Sequence, residues 1–556
     1  MKKQLFLLAL LFCGQLTMFS QYAIHGTVKD EKGNALIGAN VVVDGTSYGV
    51  TTNLKGEFLL KSLRPGDYVI HFSYVGFEPL QKPVSVTSDV SVDVVLTAKV
   101  YMADEVIISA VRAGDNMPVT KSTINKEDIA ARNLGQDIPY LMTLAPSVVT
   151  SSDAGTGIGY TNFRIRGTDL NRINITVNGI PLNDAESHGV FWVNMPDFAS
   201  SVENIQIQRG VGTSTQGGGA FGATINLQTL SINKKPYAEI ANSVGSFNSF
   251  KHSVSFGSGL INDHFTFDGR LSKITSDGFI DRAWSKLKSF YVSGAYYTDK
   301  TLVKVNVFSG NEATYQAWDG IPSDILKTNR TYNGIGAYYD DNHQLKYYDN
   351  ETDNYQQDHF QLHMSHAFSE AFNVNLSAHY TIGKGYYEQY KDDDDLYKYQ
   401  LNNVIIGNDT ITSSDIIRRK WLDNDFYGLT WSLNYSYENI SAVLGGGWNQ
   451  YYGEHYGRVR WAKFMSNGDM DHQYYYSDGT KIDFNVFAKA TYKISDQLSA
   501  FGDLQIRKIG QTLKGVDDKL QYDGNLREKA RVRSLKKEDS CPHVSQLSTY
   551  SVKFFT

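Results

Sequence analysis

The feature that most constrains the fold is a strict two-residue alternation that recurs through the chain from about Tyr237 onwards. Over residues 426–437, every second residue is aromatic or aliphatic, whereas the residues between them are small or polar. The first set is Tyr427, Leu429, Trp431, Leu433, Tyr435 and Tyr437, and the second is Gly428, Thr430, Ser432, Asn434 and Ser436. Because successive side chains of a strand point to opposite faces, this run predicts a sheet with one apolar and one polar face.

The same alternation recurs at 265–272 and 372–380, and the long polar segments 311–355 and 383–424 alternate with short links. Aromatic residues make up 13% of the chain, yet its mean hydropathy is -0.35 and no apolar stretch after residue 20 is long enough for a membrane-spanning helix. A closed β-barrel is the other way to satisfy a backbone in lipid. A soluble sandwich also alternates, but the repetition, the aromatic strand ends and the unequal loops favour a transmembrane antiparallel β-barrel.

The first twenty residues have the pattern of a secretory signal peptide. Lys2 and Lys3 precede an apolar run over 5–12, and small and polar residues follow, so we expect a signal peptide over 1–20 with cleavage before Gln21. Cys13 offers an alternative as a lipoprotein cysteine, which the bulky residue just before it disfavours. The sequence therefore predicts export.

Cysteine content and charge exclude other classes of protein. Removal of the signal peptide would leave Cys541 as the one cysteine, which excludes a disulfide framework. With 556 residues, the chain is too long for a typical single domain. The formal net charge of -6 is mild and gives no argument for a nucleic-acid partner.

Residues 21–99 alternate short β-type runs with turn residues, as at Gly26-Thr-Val28, Gly56-Glu-Phe58 and Gly66-Asp-Tyr68. Strands of this length and spacing predict a small β-sandwich. The order of these residues resembles the carboxypeptidase regulatory-like domain. The segment carries no catalytic zinc ligands, so the resemblance implies no peptidase.

Residues 113–232 mix helix-like and strand-like stretches with many glycines: 128–141 predicts a helix, and 173–177 and 202–208 predict strands. Two motif clusters follow one another in this segment. They are Phe163-Arg-Ile-Arg-Gly-Thr168 with Ile175-Thr-Val-Asn-Gly-Ile-Pro-Leu-Asn-Asp184, and Val202-Glu-Asn-Ile-Gln-Ile-Gln-Arg-Gly210 with Gly217-Gly-Gly-Ala-Phe-Gly-Ala-Thr-Ile-Asn226. Found in this order before the barrel strands, they resemble the plug of the TonB-dependent receptors, which implies an α+β domain that fills a β-barrel.

The resemblance implies a plug motif made of Arg164, Arg166, Gly167, Asn178, Gly179, Glu203, Arg209, Gly210, Gly217 and Gly222. The chain departs from the family pattern twice. Asn178 stands where the family usually has Asp, which keeps the turn chemistry, and residues 213–216 replace a common Tyr-Gly pair. We expect the glycines to form tight turns and close backbone approaches. The run 217–219 cradles no phosphate, because no Lys-Ser/Thr pair follows it.

Four charged motif residues lie on predicted plug strands: Arg164, Arg166, Glu203 and Arg209. Barrel lumens are polar and buried charges are paired, so we expect ion pairs between these residues and the barrel wall. Direct contact with a solute is the alternative.

The segment between the predicted sandwich and plug, 100–112, contains an acidic and then aliphatic run. Its residues are Asp104, Glu105, Val106, Ile107, Ile108, Ser109 and Ala110. This run resembles the TonB box, which implies capture by the TonB-ExbB-ExbD complex through strand addition. The alternative is that the run forms the last sandwich strand or the first plug strand.

No catalytic constellation is present, and we expect neither an enzyme, nor a cofactor, nor a metal site. His359 and His363 share a strand face, but residues four apart on a strand are roughly 13 Å apart, too far to hold one metal ion, so they are interpreted as lumen lining. The acidic run 392–395 falls in a predicted long loop. It is interpreted as a solvated loop, with a cation site as the alternative.

The family's barrel has twenty-two strands, a size that leaves room for a plug. Residues 233–522 hold about eleven to thirteen strands, allowing for long loops, so the sequence predicts the N-terminal part of a 22-stranded barrel. In 523–556 the basic run 526–541 has no alternation and cannot face lipid. We expect a truncation or an altered reading frame near Gly524, and the alternative is a genuine basic tail.

Together these features predict a mainly β protein: an N-terminal sandwich, an α+β plug and part of a barrel. The resemblance implies a cell outer-membrane receptor that contacts lipid and takes up a scarce solute such as a metal chelate. Among solutes it favours an iron-siderophore complex over cobalamin or a glycan. A passive porin or a non-transporting surface-binding protein represents another class.

Overall fold

The computed structural model describes residues 21–97 apart from 32, 47, 75, 76 and 78, then 112, 119–210, 221–229, 233, 235–495 and 498–516, and the backbone of 544–555. The predicted signal peptide, the predicted TonB box, Gly217 and the basic run 526–541 lie outside these residues. The chain divides into two compact units, Met1–Met102 and Ala103–Thr556.

The first unit is a β-sandwich, as predicted. Its strands are β1 (Tyr22–Asp30), β2 (Asn40–Val43), β3 (Gly49–Thr51), β4 (Glu57–Leu63), β5 (Gly66–Ser73), β6 (Leu80–Val86), β7 (Val90–Ser91) and β8 (Val94–Leu96). One sheet has the order β4-β1-β7, with β8 also paired to β1, and the other has the order β3-β2-β5-β6. Alternate residues of the two sheets, including Ile24, Leu60, Ile70 and Phe72, are fully buried between them.

The second unit begins with a small α+β body, residues 119–229, which we call the plug. Its elements are β9 (Lys121–Asn125), α1 (Lys126–Ala130), α2 (Ile138–Leu141), β10 (Val148–Ser152), β11 (Thr161–Ile165), β12 (Ile173–Val177), β13 (Ile180–Pro181), β14 (Val202–Arg209) and β15 (Ala223–Thr229), with short 3₁₀ helices at Leu170–Arg172, Trp192–Asn194 and Phe198–Ser201. Its main sheet has the order β13-β12-β15-β14-β9, and β10 pairs with β11. Ile175, Ile205, Ile207 and Ile225 from this sheet are fully buried in the plug core.

The single helix predicted over 128–141 is wrong, because two short helices, α1 and α2, occupy this region. Gly135 between them has a φ of +122°, which a helix cannot contain. Pro139 then lies in the first turn of α2, where its missing N–H is not needed. The apolar spacing was consistent with one helix, but the glycine and proline divide it.

A large antiparallel sheet follows the plug, and we call its twelve strands the wall. In chain order the strands, with two small loop hairpins (β21–β22 and β25–β26), are β16 (Tyr237–Gly245), β17 (Ser249–Gly257), β18 (Phe265–Ser276), β19 (Ser285–Tyr297), β20 (Thr301–Tyr315), β21 (Ala337–Tyr339), β22 (Leu345–Tyr347), β23 (Thr352–Ala367), β24 (Phe372–Asp395), β25 (Val404–Ile406), β26 (Asp409–Ile411), β27 (Ser413–Tyr437), β28 (Ile440–Ala462), β29 (His472–Ser495), β30 (Leu498–Val516) and β31 (Val544–Phe555). Short 3₁₀ helices lie at Ile325–Lys327 and Leu396–Tyr399. Among the described residues, no helix has the length and apolar character needed to cross a membrane.

The connections of the wall differ in length between its two ends. At one end they are short: 258–264, 298–300, 368–371 and 438–439. At the other end they include 316–351 and 396–412, and we call this the loop end. The predicted alternation of short links and long loops is therefore confirmed, a pattern typical of outer-membrane barrels.

The strands of this region extend past the predicted loop boundaries. The loops 311–355 and 383–424 are shorter than expected, because β20, β24 and β27 extend well past the apolar alternation into polar sequence. Residues 392–395 therefore lie at the end of β24 and not within a loop. The predicted atypical tail, 523–556, contains a further strand, β31, which pairs with β30.

The two faces of the wall have the predicted chemistry. On β27, Leu429 and Tyr435 are exposed on one face, whereas Ser432 and Asn434 are buried on the other. The polar face contacts the plug from β17 to β29, at Lys251 and Lys481 among others. Because one compact body touches strands so far apart, the sheet must curve around it.

Candidate functional site

The tightest connection between plug and wall is centred on Asp197. Its carboxylate lies 2.6 Å from Lys251 Nζ and 3.2 Å from Arg270 Nη1, and all three side chains are at most 3% exposed. Ser272 Oγ donates a further hydrogen bond at 2.8 Å. Burial acts to raise the pKa of Asp197, but the two neighbouring cations outweigh it and hold the pKa at about 2.

The backbone around Asp197 fits closely against the wall. Ser289 Oγ donates to the carbonyl of Pro196 at 2.6 Å, and the rings of Phe198 and Phe308 lie 4.9 Å apart. At Gly310 of β20, a Cβ atom would lie 2.0 Å from the carbonyl oxygen of Asn194. Glycine is required there because the two backbones approach too closely for any side chain.

The motif pair Asn178 and Gly179 forms the two-residue turn between β12 and β13, with φ values of +53° and +81°. Positive φ at both positions is the signature of a type I′ hairpin, which Asn-Gly favours. Asn178 Nδ2 donates to Thr229 Oγ1 at 3.0 Å within the plug and to Gln361 Oε1 of the wall at 3.2 Å. The turn therefore also tethers the plug.

The other described motif glycines occupy turns or close approaches, as expected. Gly167 and Gly210 have φ values of +75° and +86°. A Cβ at Gly222 would lie 2.4 Å from Thr168 Cγ2. Arg166, just before the first of these glycines, also has a positive φ of +53°.

The charged motif residues are predicted to form ion pairs with the wall. The described ion pairs between plug and wall involve other residues. Arg164 pairs with Asp169 at 2.9 Å and Glu203 with Lys126 at 3.8 Å, both within the plug. Arg209 Nη1 donates to Ser122 Oγ at 2.9 Å, also within the plug. The prediction is wrong for Arg164 and Glu203, because their charges are paired within the plug.

A second connection to the wall involves the plug segment 183–189. Glu186 Oε2 lies 2.7 Å from His455 Nε2 and accepts a hydrogen bond from Tyr451 Oη at 3.1 Å. Lys481 Nζ donates to the carbonyl of Ala185 at 2.6 Å. Burial acts to raise the pKa of Glu186, but the hydrogen bond and charge of His455 lower it overall. These side chains are more exposed than those around Asp197.

A cavity of about 260 Å³ separates plug segment 171–188 from strands β24 and β27–β30. Its lining includes eight amide side chains: Asn171, Asn174, Asn178, Asn183, Asn375, Asn449, Asn485 and Gln505. Phe426 and Phe487 add apolar surface. Such a mixture suits a polar organic solute that offers several hydrogen-bonding groups.

A second cavity of about 140 Å³ lies nearer the loop end, beside Tyr160, Phe191, Glu312 and Asp353. Tyr160 Oη donates to Asp353 Oδ2 and lies 3.4 Å from Glu312 Oε1. Burial and the charges of these two carboxylates raise the pKa of Tyr160 well above its usual value, so it remains a donor. The sequence does not predict this group, because its members come from the plug and two separate wall strands.

The two histidines point to the interior, as predicted. His359 Nδ1 lies 3.0 Å from Thr381 Oγ1, and His363 Nδ1 lies 2.8 Å from Ser377 Oγ. Across the described part of the chain, no group of three or more His, Cys, Asp or Glu side chains is arranged to hold a metal ion. In the acidic run, Asp394 pairs with Lys398 at 2.7 Å, so its charge already has a protein partner.

Two family models match the chain. The CarboxypepD_reg-like domain matches residues 24–108, and the TonB-dependent Receptor Plug Domain matches residues 114–224. The first match extends over part of the segment predicted as a TonB box.

Curated relatives match about a third of the chain. The TonB-dependent receptor SusC of Bacteroides thetaiotaomicron is 30% identical over 208 residues, which is 35% of this chain and 20% of SusC. The vitamin B12 transporter BtuB of Vibrio vulnificus is 26% identical over 185 residues, which is 33% of this chain and 29% of BtuB. The matched region thus spans less than a third of either relative.

Solved structures share the fold over more of the chain. The ferric yersiniabactin uptake receptor FyuA of Yersinia pestis has a TM-score of 0.51 and 12% identity, covering 71% of this chain and 57% of FyuA. The ferric-catecholate import receptor Fiu of E. coli K12 has a TM-score of 0.53 and 14% identity, covering 79% of this chain and 66% of Fiu. At such identity these likenesses concern the fold alone.

Proposed function

This chain belongs to the TonB-dependent receptors, and on that premise we propose that it is an outer-membrane receptor for the active uptake of a scarce solute. Members of this family are transporters and not enzymes. The observation that carries the proposal is the folded plug seated on the polar face of a curved sheet whose outer face is apolar. A plug that fills a lumen prevents the passage of a solute unless energy is available to displace the plug.

The energy would come from the TonB-ExbB-ExbD complex through the segment Asp104, Glu105, Val106, Ile107, Ile108, Ser109 and Ala110. The segment precedes the plug directly, so a pull on it would act on β9. Strand addition depends on main-chain hydrogen bonds, which suits a run of β-branched residues with loose sequence requirements. Its overlap with the first family match leaves a role as a sandwich strand as the competing proposal.

For the solute, we propose an iron-siderophore complex first, with cobalamin or a glycan as alternatives. The names of FyuA and Fiu support an iron chelate, and that of BtuB supports cobalamin. All of these are polar organic molecules that could use the amide-lined cavity. A surface-binding protein without transport is the second candidate. The buried contacts that anchor the plug would also stabilise a binding surface in such a protein.

Energy dependence separates these functions. Cells that express the full-length protein would be given radioactive iron complexes of a catecholate and a hydroxamate siderophore, labelled cyanocobalamin or a labelled oligosaccharide. Uptake of at least one probe should stop when an uncoupler dissipates the proton-motive force. Uptake that continues after uncoupling would instead indicate a passive pore, and energy-independent binding without entry would indicate a surface-binding protein.

A further inference from the structure

The cavity beside Tyr160 is lined by two buried carboxyl groups, Glu312 and Asp353, and by aromatic side chains. Glu312 and Asp353 lie on the neighbouring strands β20 and β23 and are 2% and 8% exposed. Both face Tyr160 Oη, which donates to Asp353 but lies 3.4 Å from Glu312 Oε1, a long contact for an O–H donor. The two carboxylates therefore share a single hydroxyl group.

This hydroxyl does not satisfy the two carboxylates. Glu312 Oε2 is buried, borders the cavity and has no hydrogen-bond partner among the described residues. Nor does any described lysine or arginine form an ion pair with Glu312 or Asp353, in contrast to Asp197. A buried carboxylate oxygen without a partner is costly, and a ligand that supplies positive charge would remove that cost.

Aromatic rings surround Tyr160. The Tyr160 ring lies 6.5 Å from Phe191 and 5.8 Å from Trp318, and Trp318 lies 5.4 Å from Tyr387. Each of these pairs is close to perpendicular, with interplanar angles of 79°, 73° and 83°. Phe191 lines the cavity and is 45% exposed, so it is accessible to an incoming molecule, whereas Trp318 packs against Tyr160 outside the lining. Rings arranged in this way attract organic cations through their negative faces.

We propose that this cavity binds a positively charged ammonium group, either as a small organic cation or as part of a larger solute. The inference rests on the proposed uptake function, since it names a chemical property of the solute. On binding, Glu312 and Asp353 would ionise and neutralise the charge, and Phe191 would contact the alkyl groups around the nitrogen. An iron chelate that carries an amine would satisfy both proposals.

A bare metal ion fits this cavity less well than an ammonium group. Calcium takes six to eight oxygen ligands, and among the described residues no group of three or more His, Cys, Asp or Glu side chains is arranged to hold a metal ion. The volume of about 140 Å³ accommodates a substituted ammonium group. The adjoining loop 316–351 contains six acidic and three basic residues, so its field attracts cations towards the cavity.

The proposal can be tested by calorimetric titration of the full-length protein, purified in detergent, with tetramethylammonium chloride. Calcium chloride and sodium acetate serve as the metal and anion probes at matched ionic strength. The test variants are Glu312→Gln and Phe191→Leu. The matched control is Asp423→Asn, a carboxylate on β27 that already has a lysine partner, Lys384, at 2.6 Å.

We expect saturable binding of tetramethylammonium, weakened at least about tenfold by Glu312→Gln and several-fold by Phe191→Leu, and unchanged by Asp423→Asn. Tyr160→Phe removes the hydroxyl group that the two carboxyl groups share, so this variant should bind tetramethylammonium at least as tightly as the unmodified protein. It provides a second test if Glu312→Gln fails to fold. No saturable binding, binding of calcium alone, or equal loss in the control would overturn the proposal. Titration requires no energy source, so its outcome is independent of the uncoupler experiment.

Discussion

The carboxylate of Asp197 in the plug lies 2.6 Å from Lys251 Nζ in the wall, and neither side chain is more than 3% exposed. The backbone of Asp197 is left-handed, with a φ of +53°, a conformation that asparagine tolerates. Asp197→Asn therefore keeps the shape but leaves Lys251 and Arg270 without their counter-charge. Loss of one partner of a buried ion pair costs about 3–5 kcal/mol. We expect the plug of this variant to become sensitive to urea and to external protease.

The control for that substitution is Asp423→Asn. Asp423 and Lys384 are 28% and 58% exposed, and an exposed pair contributes about 0–1 kcal/mol. Equal sensitivity of the two variants would show that the Asp197 cluster does not anchor the plug.

Because of Asp137, we expect the free energy of unfolding of the plug to depend on pH near neutrality. It is buried, accepts a hydrogen bond from Thr161 Oγ1 at 2.8 Å, and burial raises its pKa to about 8. Between about pH 4 and 8, the carboxyl ionises in the unfolded chain while it stays protonated in the plug, so the free energy of unfolding falls by roughly 1.4 kcal/mol per pH unit. Asp137→Asn should remove this contribution in urea titrations and leave the smaller one of Asp153, whose pKa burial raises to about 6; an unchanged slope would contradict the assignment.

Asp197 changes the free energy of unfolding in the opposite direction to Asp137, and it does so in a lower pH range. Its pKa of about 2 lies below the ordinary value, so its contribution is complete above about pH 4 and is lost as the pH falls towards 2. The two groups can therefore be separated by pH alone.

Gly310→Ala tests the close approach of wall and plug. An added Cβ would lie 2.0 Å from the carbonyl oxygen of Asn194, so the plug must move away at a cost of about 1–3 kcal/mol. Gly294→Ala on β19 is the matched control, since its Cβ would meet nothing closer than 4.0 Å. Protease protection of the plug should fall in the first variant alone, and protection retained in both would mean that the plug is seated elsewhere.

Val106→Pro tests the predicted TonB box in the full-length protein. Proline removes a main-chain donor from the added strand, so energised uptake should be lost while solute binding persists. Val106→Ala keeps the donor and should transport normally. Normal transport by the proline variant would favour the alternative, in which this run is a strand of the sandwich or the plug.

Leu433→Arg and Ser432→Arg compare the two faces of β27. A charge at the middle of a lipid-facing surface costs about 2–4 kcal/mol, so the first substitution should impair assembly in the membrane. Ser432 borders the amide-lined cavity, where an arginine can extend into polar surroundings. Heat-modifiable migration on gels measures assembly, and similar migration of the two variants would reverse or refute the assignment of faces.

Local patterns predicted much of the fold. The alternation on β27 predicted its faces, and Asn178-Gly179 predicted a turn, because both depend on neighbouring residues and backbone preferences. The period-two signal nevertheless ended before the strands did, as the proposed outer-membrane location predicts, because a strand end that projects beyond lipid needs no apolar face.

The candidate site was less predictable. Asp197 follows no periodic pattern, and its partner Arg270 lies 73 residues along the chain. Glu312, Asp353 and Tyr160 come together only when the wall surrounds the plug. Charge pairing between distant segments leaves no local signature, so motif residues such as Arg164 were more conspicuous in the sequence.

The sequence separation of the plug contacts also affects the order of assembly. Asp197 joins strands β17 and β18, up to 75 residues away, whereas Tyr451 and Lys481 reach the plug across 265 and 296 residues. Closing a short loop costs less chain entropy than closing a long one. We therefore expect the plug to form its contacts with the first wall strands early in folding. The later strands would then assemble around a plug that is already in place.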